Sequence, residues 1–297
     1  MSPVKLIQKS FRSIGLEVVP HPPSDWVRCR DSLRRILNRL SIDCVFDVGA
    51  NRGQYGDLLR DIGYQGTIIS FEPVKELFEE LSLRAAARPP WKAFHYALGA
   101  TDGEASINVN QDSVLSSFLT VQDNLEECPN SRAIRSETVQ VRRLDTIFAD
   151  TLSGLSPKNL HLKLDTQGFD LEALKGAEGV LSRFGSAQSE VSFVPVYKNM
   201  PDYIESLQAF QACGFGVADF MPVLTAPFGI AFGGGCEVPL LPNRTMLLSS
   251  TGSGTTPESS PCKKMPASPR PEPSVSMRPP ANSSHSLMTT IFGTPIN

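Results

Sequence analysis

From residue 43 onward the chain alternates short apolar runs with amphipathic stretches at a nearly constant interval, and this rhythm constrains its fold more than any other feature. CVFDVG, TIISFEP, FHYALG, LHLKLD and SEVSFVPVY read as strands; QYGDLLRDI, VKELFEELSLRAAA, LEALKGAEGVLSRF and PDYIESLQAFQACG read as the helices between and after them. Strand, helix and strand in repetition need crossover connections, which predicts a mostly parallel α/β sheet with helices on both faces. The pattern loosens between about Gly103 and Ile147. There EASINV and TVQVRRL read as strands around a polar, serine-containing loop that could cover a site.

Upstream, the spacing of Leu33, Ile36, Leu37 and Leu40 predicts a helix over about 25–40, capped by Ser24 or Asp25, with Arg28, Arg30, Arg34, Arg35 and Arg39 on a solvated face. The last 47 residues, from Thr251, hold nine prolines and nine serines. Such a segment cannot bury enough apolar surface to offset the entropy of ordering it. The organisation expected is an N-terminal segment with one amphipathic helix at 1–40, an α/β domain at 41–228 and an irregular, largely disordered tail at 229–297.

A formal net charge of −3 and a pI near 5.9 give no basic field to draw the chain to nucleic acid or an anionic membrane, so neither is an expected partner. No segment approaches the ~18 uninterrupted apolar residues of a membrane span, and no N-terminal apolar core of a signal peptide is present. Cys29, Cys44, Cys128, Cys213, Cys236 and Cys262 form no CxxC pair. Reduced thiols in a cytoplasmic protein are the simplest reading. The sequence carries no signal of oligomeric state.

The chemistry begins at VFDVGANRGQYG, residues 45–56. A glycine-rich turn from strand to helix lets a ligand approach the backbone and meet helix N-terminal amides. A dinucleotide site wants G-x-G-x-x-G, but counted from Gly49 the second glycine is replaced by Asn51, and Asp47 stands at the strand end. A carboxylate there repels a pyrophosphate and attracts an ammonium or a sulfonium, which favours S-adenosylmethionine. Glu72 ends the second strand, where an acid can accept hydrogen bonds from both ribose hydroxyls of a nucleoside. Either acid alone could equally be a helix cap. Two acids at the carboxyl ends of successive strands point to a ligand, because ligands bind on that edge of a doubly wound sheet.

VFDVGANRGQYG, FEPV, YALGATDGEASI, VRRLDTI, LHLKLDTQGFDLEALKGA and SEVSFVPVY, in this order, resemble the FkbM family of S-adenosylmethionine-dependent methyltransferases over roughly 42–224. The resemblance implies a Rossmann-like class I methyltransferase fold with a seven-stranded sheet, and transfer of a methyl group to a hydroxyl oxygen of a sugar, glycan or secondary metabolite. It carries Asp47, Gly49, Asn51 and Gly53 over as the methionine-binding loop and Glu72 as the ribose acid. Ala97 and Leu98, at the end of the third strand, match the stretch beside the adenine. Ser116 and Ser117 match a serine-rich segment of no assigned role. Asp165 matches the acid on the substrate edge; Glu190 and Tyr197 match a block on the acceptor side.

In LHLKLDTQGFD, Leu160, Leu162 and Leu164 alternate with His161 and Lys163, and Asp165 ends the strand beside a turn containing Gly168. Methyl transfer from a sulfonium is an in-line displacement in which positioning dominates and a base need only relieve an alcohol of its proton. Asp165 is the expected base. His161 lies about 13 Å down the strand and reads as structural. Lys163 reads as an electrostatic partner of Asp165 near the substrate or as a plain ion-pair residue, and Glu190 as a substrate contact or a buried paired acid. Asp165, Asp170 and Glu190 could form an oxygen-ligand set, but no spacing requires a metal, and none is expected.

The family ends its sheet with an antiparallel hairpin. After FGVADFMPVL comes TAPFGIAFGGGCEVPLLPNRTMLLSS, in which neither GIAF nor RTMLL matches that ending; this leaves the last strand unassigned, and a translated frame shift near Phe232 would account for the break. Two other functions compete with the methyltransferase. One is a nicotinamide-dependent dehydrogenase, disfavoured by Asn51; the other is a non-catalytic adenosyl-ligand or protein-binding module on the same fold.

Overall fold

The computed structural model describes residues 25–122, 132–193, 195–222 and 235–242. Five parallel strands form the centre of the main sheet: β1 (Cys44–Val48), β2 (Thr67–Phe71), β3 (Trp91–Phe94), β7 (Leu160–Leu164) and β8 (Phe184–Ser192), in the spatial order β3-β2-β1-β7-β8. Every residue of β1 and β7 is buried, as expected of strands covered on both faces.

Helices α1 (Asp25–Arg39), α2 (Gln54–Asp61) and α3 (Lys75–Ala87) cover one face. Leu33, Leu37, Tyr55, Leu59, Leu81 and Ala85 pack there with Val45, Ile68 and Trp91. The other face is covered by α4 (Leu144–Thr151), α5 (Asp170–Gly176) and α6 (Tyr203–Ala212), whose Leu144, Phe148, Leu174 and Phe210 meet Cys44, Phe46, Val48, Leu160, Leu162 and Leu164. The leucines of β7 thus face one helical layer, and His161 and Lys163 the other. On α1 the solvated face is narrower than the five arginines suggested. Arg28, Arg35 and Arg39 are exposed, whereas Arg30 is buried and Arg34 donates to Ile62 O and Asp31.

A second sheet is inserted between β3 and β7. In it β4 (Ala97–Leu98) runs parallel to β6 (Ala133–Arg142), which pairs antiparallel with β5 (Gly103–Asn110). Ile107, Val109 and Val139 seat it on Val74 and Leu77 at the start of α3. Ala97 and Leu98 therefore belong to this smaller sheet, not to the end of the third strand of the main one.

The main sheet continues past residue 228. Strand β11 (Gly235–Pro242) lies antiparallel to β8 within the stretch expected to be irregular. Its far edge pairs in succession with β9 (Phe215–Val217) and β10 (Met221–Pro222), which share one strand position, so eight segments fill seven positions. Pro239, which has no N–H to donate, falls between the β10-paired and β9-paired stretches of β11, where that edge has no partner. GIAF, RTMLL and the tail from Thr251 lie outside the described residues.

Candidate functional site

The chain winds from β1 outward to β3 and then returns to the opposite side of β1 at β7, so the topological switch lies between β1 and β7. Ligands of doubly wound sheets bind beyond the carboxyl ends of the strands at such a point. A cavity of about 430 Å³ opens there, within the range of small-molecule sites.

Register explains which polar groups gather beneath it. Ser70, Asp47, Lys163 and Gln188 are direct cross-strand neighbours on β2, β1, β7 and β8, facing α1–α3. Trp91 Nε1 donates to Ser70 Oγ at 2.9 Å, and Ser70 Oγ donates to Asp47 Oδ2 at 3.0 Å. Lys163 Nζ stands 3.1 Å from Asp47 Oδ1 in an ion pair without hydrogen-bond alignment, 3.4 Å from Asp165 Oδ2, and donates to Gly49 O at 3.2 Å. The Tyr55 ring lies 5.2 Å from the ammonium. Asp47 and Lys163 are 0 % and 4 % exposed at their side chains, so the charges are compensated inside the protein.

Two residues further along the same faces, at the strand tips, come Gly49, Glu72, Asp165 and Glu190. Gly49 has φ 75°, and a Cβ there would sit 1.9 Å from Asp165 O, so the two loops cross where only glycine fits. Glu72 is 4 % exposed; Oε2 accepts from Asn51 N at 2.7 Å and Oε1 from Val74 N at 2.9 Å. Burial pushes its carboxyl up to about 7, against the lowering pull of those two amides. Asp165 is one-third exposed at its side chain. Burial raises its carboxyl, but Lys163 and hydrogen bonds with Gln167 and Glu190 outweigh this and hold it below the usual carboxylate range.

Of the residues expected from sequence, Gly49, Asn51, Glu72, Ala97, Leu98, Lys163 and Asp165 line the cavity. Asp47 does not. Its side chain is buried and engaged by Ser70 and Lys163, so it is not placed for the direct grip on a ligand expected of it. Gly53, with φ 90°, is the N-cap of α2 and faces Leu81 and Trp91. Glu190 and Tyr197 stand behind the wall and reach it through Gln167, whose Nε2 donates to Asp165 Oδ1 and to Glu190 Oε2, each at 2.9 Å. The Tyr197 hydroxyl lies 2.9 Å from Gln167 Oε1 and 3.0 Å from Leu115 O, and burial raises its pKa above the ordinary phenol value.

His161 is fully buried against Ser186 Oγ, at 2.7 Å, and the Tyr55 hydroxyl, and burial lowers its pKa to about 4. It is neutral and structural. Both carboxylate oxygens of Asp170 accept from neighbours, Thr166 and Ser189, and burial raises its pKa. Among the described residues no group of three or more His, Cys, Asp or Glu has a metal-holding arrangement.

Gln167, Tyr55 and Ser117 were not singled out by sequence reasoning for what they do here. The segment after β5 arches over the site: Ser113 Oγ donates to Asn51 Oδ1 at 3.3 Å, Ser117 Oγ donates to Gln167 O at 2.7 Å, and the Phe118 ring meets Phe169 with centroids 4.6 Å apart. Of the serines matched in sequence, Ser117 thus ties this segment to the Gln167 turn, and Ser116 lines the cavity and accepts from Asn110 N at 3.2 Å. The one signal for Gln167 was its position two residues beyond Asp165 in a tight turn.

The site suits an adenosyl sulfonium ligand. Leu98, Ile107, Val114 and Phe118 supply apolar wall, and Glu72 keeps lone pairs for hydroxyl donors. Asp47 and Asp165 set two acids against the one ammonium of Lys163 beside the cavity, an excess of acid that favours a cation over a pyrophosphate.

The profile of the methyltransferase FkbM domain matches residues 47–217. No curated protein matches the sequence. Among solved structures, fibrillarin of Aeropyrum pernix in complex with S-adenosyl-L-methionine aligns at 11% identity over 67% of this chain and 66% of that one, with a TM-score of 0.39; the chain thus spans just under two thirds of that protein. Magnesium protoporphyrin IX methyltransferase of Synechocystis aligns at 10% identity over 73% and 80%, TM-score 0.40, and the fibrillarin pre-rRNA processing protein of Methanococcus jannaschii at 13% over 68% and 67%, TM-score 0.41. The profile spans more than half of the sequence and ends in β9, and the doubly wound sheet has its acids at the switch point. The chain belongs to the FkbM family of S-adenosylmethionine-dependent methyltransferases.

Proposed function

We propose that this protein transfers a methyl group to a hydroxyl oxygen of a sugar, glycan or secondary metabolite, with Asp165 as the base. The observation that carries the reading is the Asp165 carboxylate, held at the cavity wall between Lys163 and Gln167 at the switch point. The donor, when bound, supplies a methyl group activated by its sulfonium. Gly49 and Asn51 hold its amino-acid end, Glu72 accepts from its ribose hydroxyls, and Ala97 and Leu98 flank its adenine. Lys163 fixes the charge and orientation of Asp165. Glu190 and Tyr197 act on the acceptor side through Gln167. Asp165 takes the acceptor's proton while positioning supplies most of the acceleration.

A small-molecule or glycan acceptor, rather than nucleic acid or a membrane surface, accords with the net charge of −3, and a cytoplasmic location with the simplest reading of the cysteines. Among the described residues no helix is long and apolar enough to cross a membrane. The catalytic unit is best taken from residue 41 through β11.

A labelled-methyl transfer screen over alcohol acceptors, combined with calorimetry of S-adenosylhomocysteine, tests this. Asp165→Asn is expected to keep ligand affinity within about threefold and to lower transfer about 100-fold or more, while Glu72→Ala weakens the ligand at least about tenfold. Equal loss of ligand affinity in both variants would overturn the division of roles.

A further inference from the structure

We propose that Gln167 is a positioning residue, whose side-chain amide fixes the Asp165 carboxylate for the reaction, with Tyr197 and Ser117 fixing Gln167 in turn. This rests on the reading of Asp165 as the base.

The geometry leaves the amide one orientation. Its two N–H groups meet two carboxylates, Asp165 Oδ1 and Glu190 Oε2, both at 2.9 Å, while its oxygen faces the Tyr197 hydroxyl at 2.9 Å. Turned by 180°, the oxygen would face two acceptors and the NH2 would lose both carboxylates. The backbone is held as firmly. Gln167 has φ 53°, a region L-residues seldom occupy, and the Ser117 hydroxyl donates to its carbonyl at 2.7 Å. Such a conformation persists where the surroundings over-determine it. Here they come from three sides: the segment after β5, the tip of β8 and the loop that follows it.

The effect on Asp165 is electrostatic as well as steric. Around its carboxyl stand Lys163 from β7 with Asp47 of β1 behind it, Glu190 from β8, Tyr197 from the following loop, Asp170 from α5 and Glu72 from the end of β2. Three of these are carboxyls besides Asp47, so Lys163 faces a crowd of acids. The Gln167 amide offers Asp165 and Glu190 a donor each without adding charge, and so favours the ionised form of Asp165 beside Lys163.

The test is a carbon-13 NMR titration of the full chain, labelled at Asp and Glu carboxyls and without acceptor, with Asp165 assigned through Asp165→Asn. In the wild type Asp165 is expected to titrate below the ordinary carboxylate range, and in Gln167→Leu its midpoint moves up. Tyr197→Phe, which removes only the hydroxyl that orients the amide, moves it in the same direction and stands in should Gln167→Leu fail to fold. An unchanged Asp165 midpoint in a folded Gln167→Leu, or in Tyr197→Phe where Gln167→Leu does not fold, overturns the proposal; a fall in melting temperature with no such shift marks Gln167 as merely structural. A shifted midpoint together with full methyl transfer by Asp165→Asn would leave the clamp standing and remove the base.

Discussion

Glu72 and His161 should give the protein a stability profile whose flatness hides two opposing slopes. Glu72 titrates at about 7 in the fold against 4.5 when free, so the folded chain holds that proton more tightly than the unfolded one. Its contribution is therefore fully present below pH 4.5 and is lost as pH rises through 7, a difference of about 2.5 kcal/mol between pH 5 and pH 8 by proton linkage. His161 behaves in the opposite sense. Its pKa falls from 6.5 to about 4, so neutral burial contributes above pH 6.5 and is lost as pH falls toward 4. Over the same interval this amounts to about 2 kcal/mol.

Urea denaturation of the ligand-free protein at pH 5 and pH 8 separates the two. In Glu72→Gln the difference in stability from wild type should move by about 2.5 kcal/mol between the two pH values, with the variant relatively better at pH 8. Part of that advantage is offset by about 1–3 kcal/mol, because the new NH2 faces either the Asn51 or the Val74 amide and leaves it unpaired. The offset is independent of pH, so the pH-dependent movement remains readable. His161→Gln should move by about 2 kcal/mol in the other direction. Stability differences that stay constant with pH in both variants would refute the assignment of both buried groups.

Lys163→Met should destabilise the fold by about 3–5 kcal/mol, because it removes one partner of a buried ion pair and leaves Asp47 with Ser70 alone of the two contacts described above; chemical denaturation at pH 7 checks this. Gly49→Ala combines a left-handed backbone with a Cβ pressed on Asp165 O, and a loss of more than about 2 kcal/mol, or about 5 °C in melting temperature, is expected along with weakened ligand binding. S-adenosylhomocysteine binding near pH 7 should release protons, because ribose hydroxyls favour the ionised form of Glu72. Calorimetry in two buffers of different ionisation enthalpy reads that release, and it should vanish in Glu72→Gln.

The core of the fold was readable because its strands are buried on both faces and its helices carry a regular apolar stripe. The alternation in LHLKLD told which side of β7 each residue faces. It did not tell what stands opposite. Asp47 meets Lys163 through the register of β1 on β7, a relation between residues 116 positions apart that no local pattern records. That is why an acid at a strand tip was read as a ligand contact when it is a buried counter-charge. Gln167 was overlooked for another reason: an uncharged amide has no distinguishing pattern, and its importance comes from three partners supplied by distant segments. The last strand was hidden by its own composition, since GGGCEVPLLP has the glycines and prolines of a turn, and the interval in pairing that accommodates Pro239 exists only once β9 and β10 have been placed beside it.

That strand has a consequence for anyone shortening the gene. β11 lies between β8 and the β9–β10 pair, so a chain stopped at residue 228 would leave the peptide groups of 187–192 without their antiparallel neighbour and detach the two short outer segments at once. A bare row of donors and acceptors beside Glu190 is a template for another polypeptide. Trimming at the boundary suggested by composition would leave a self-adhesive edge, whereas a cut after Pro242 keeps the seam closed.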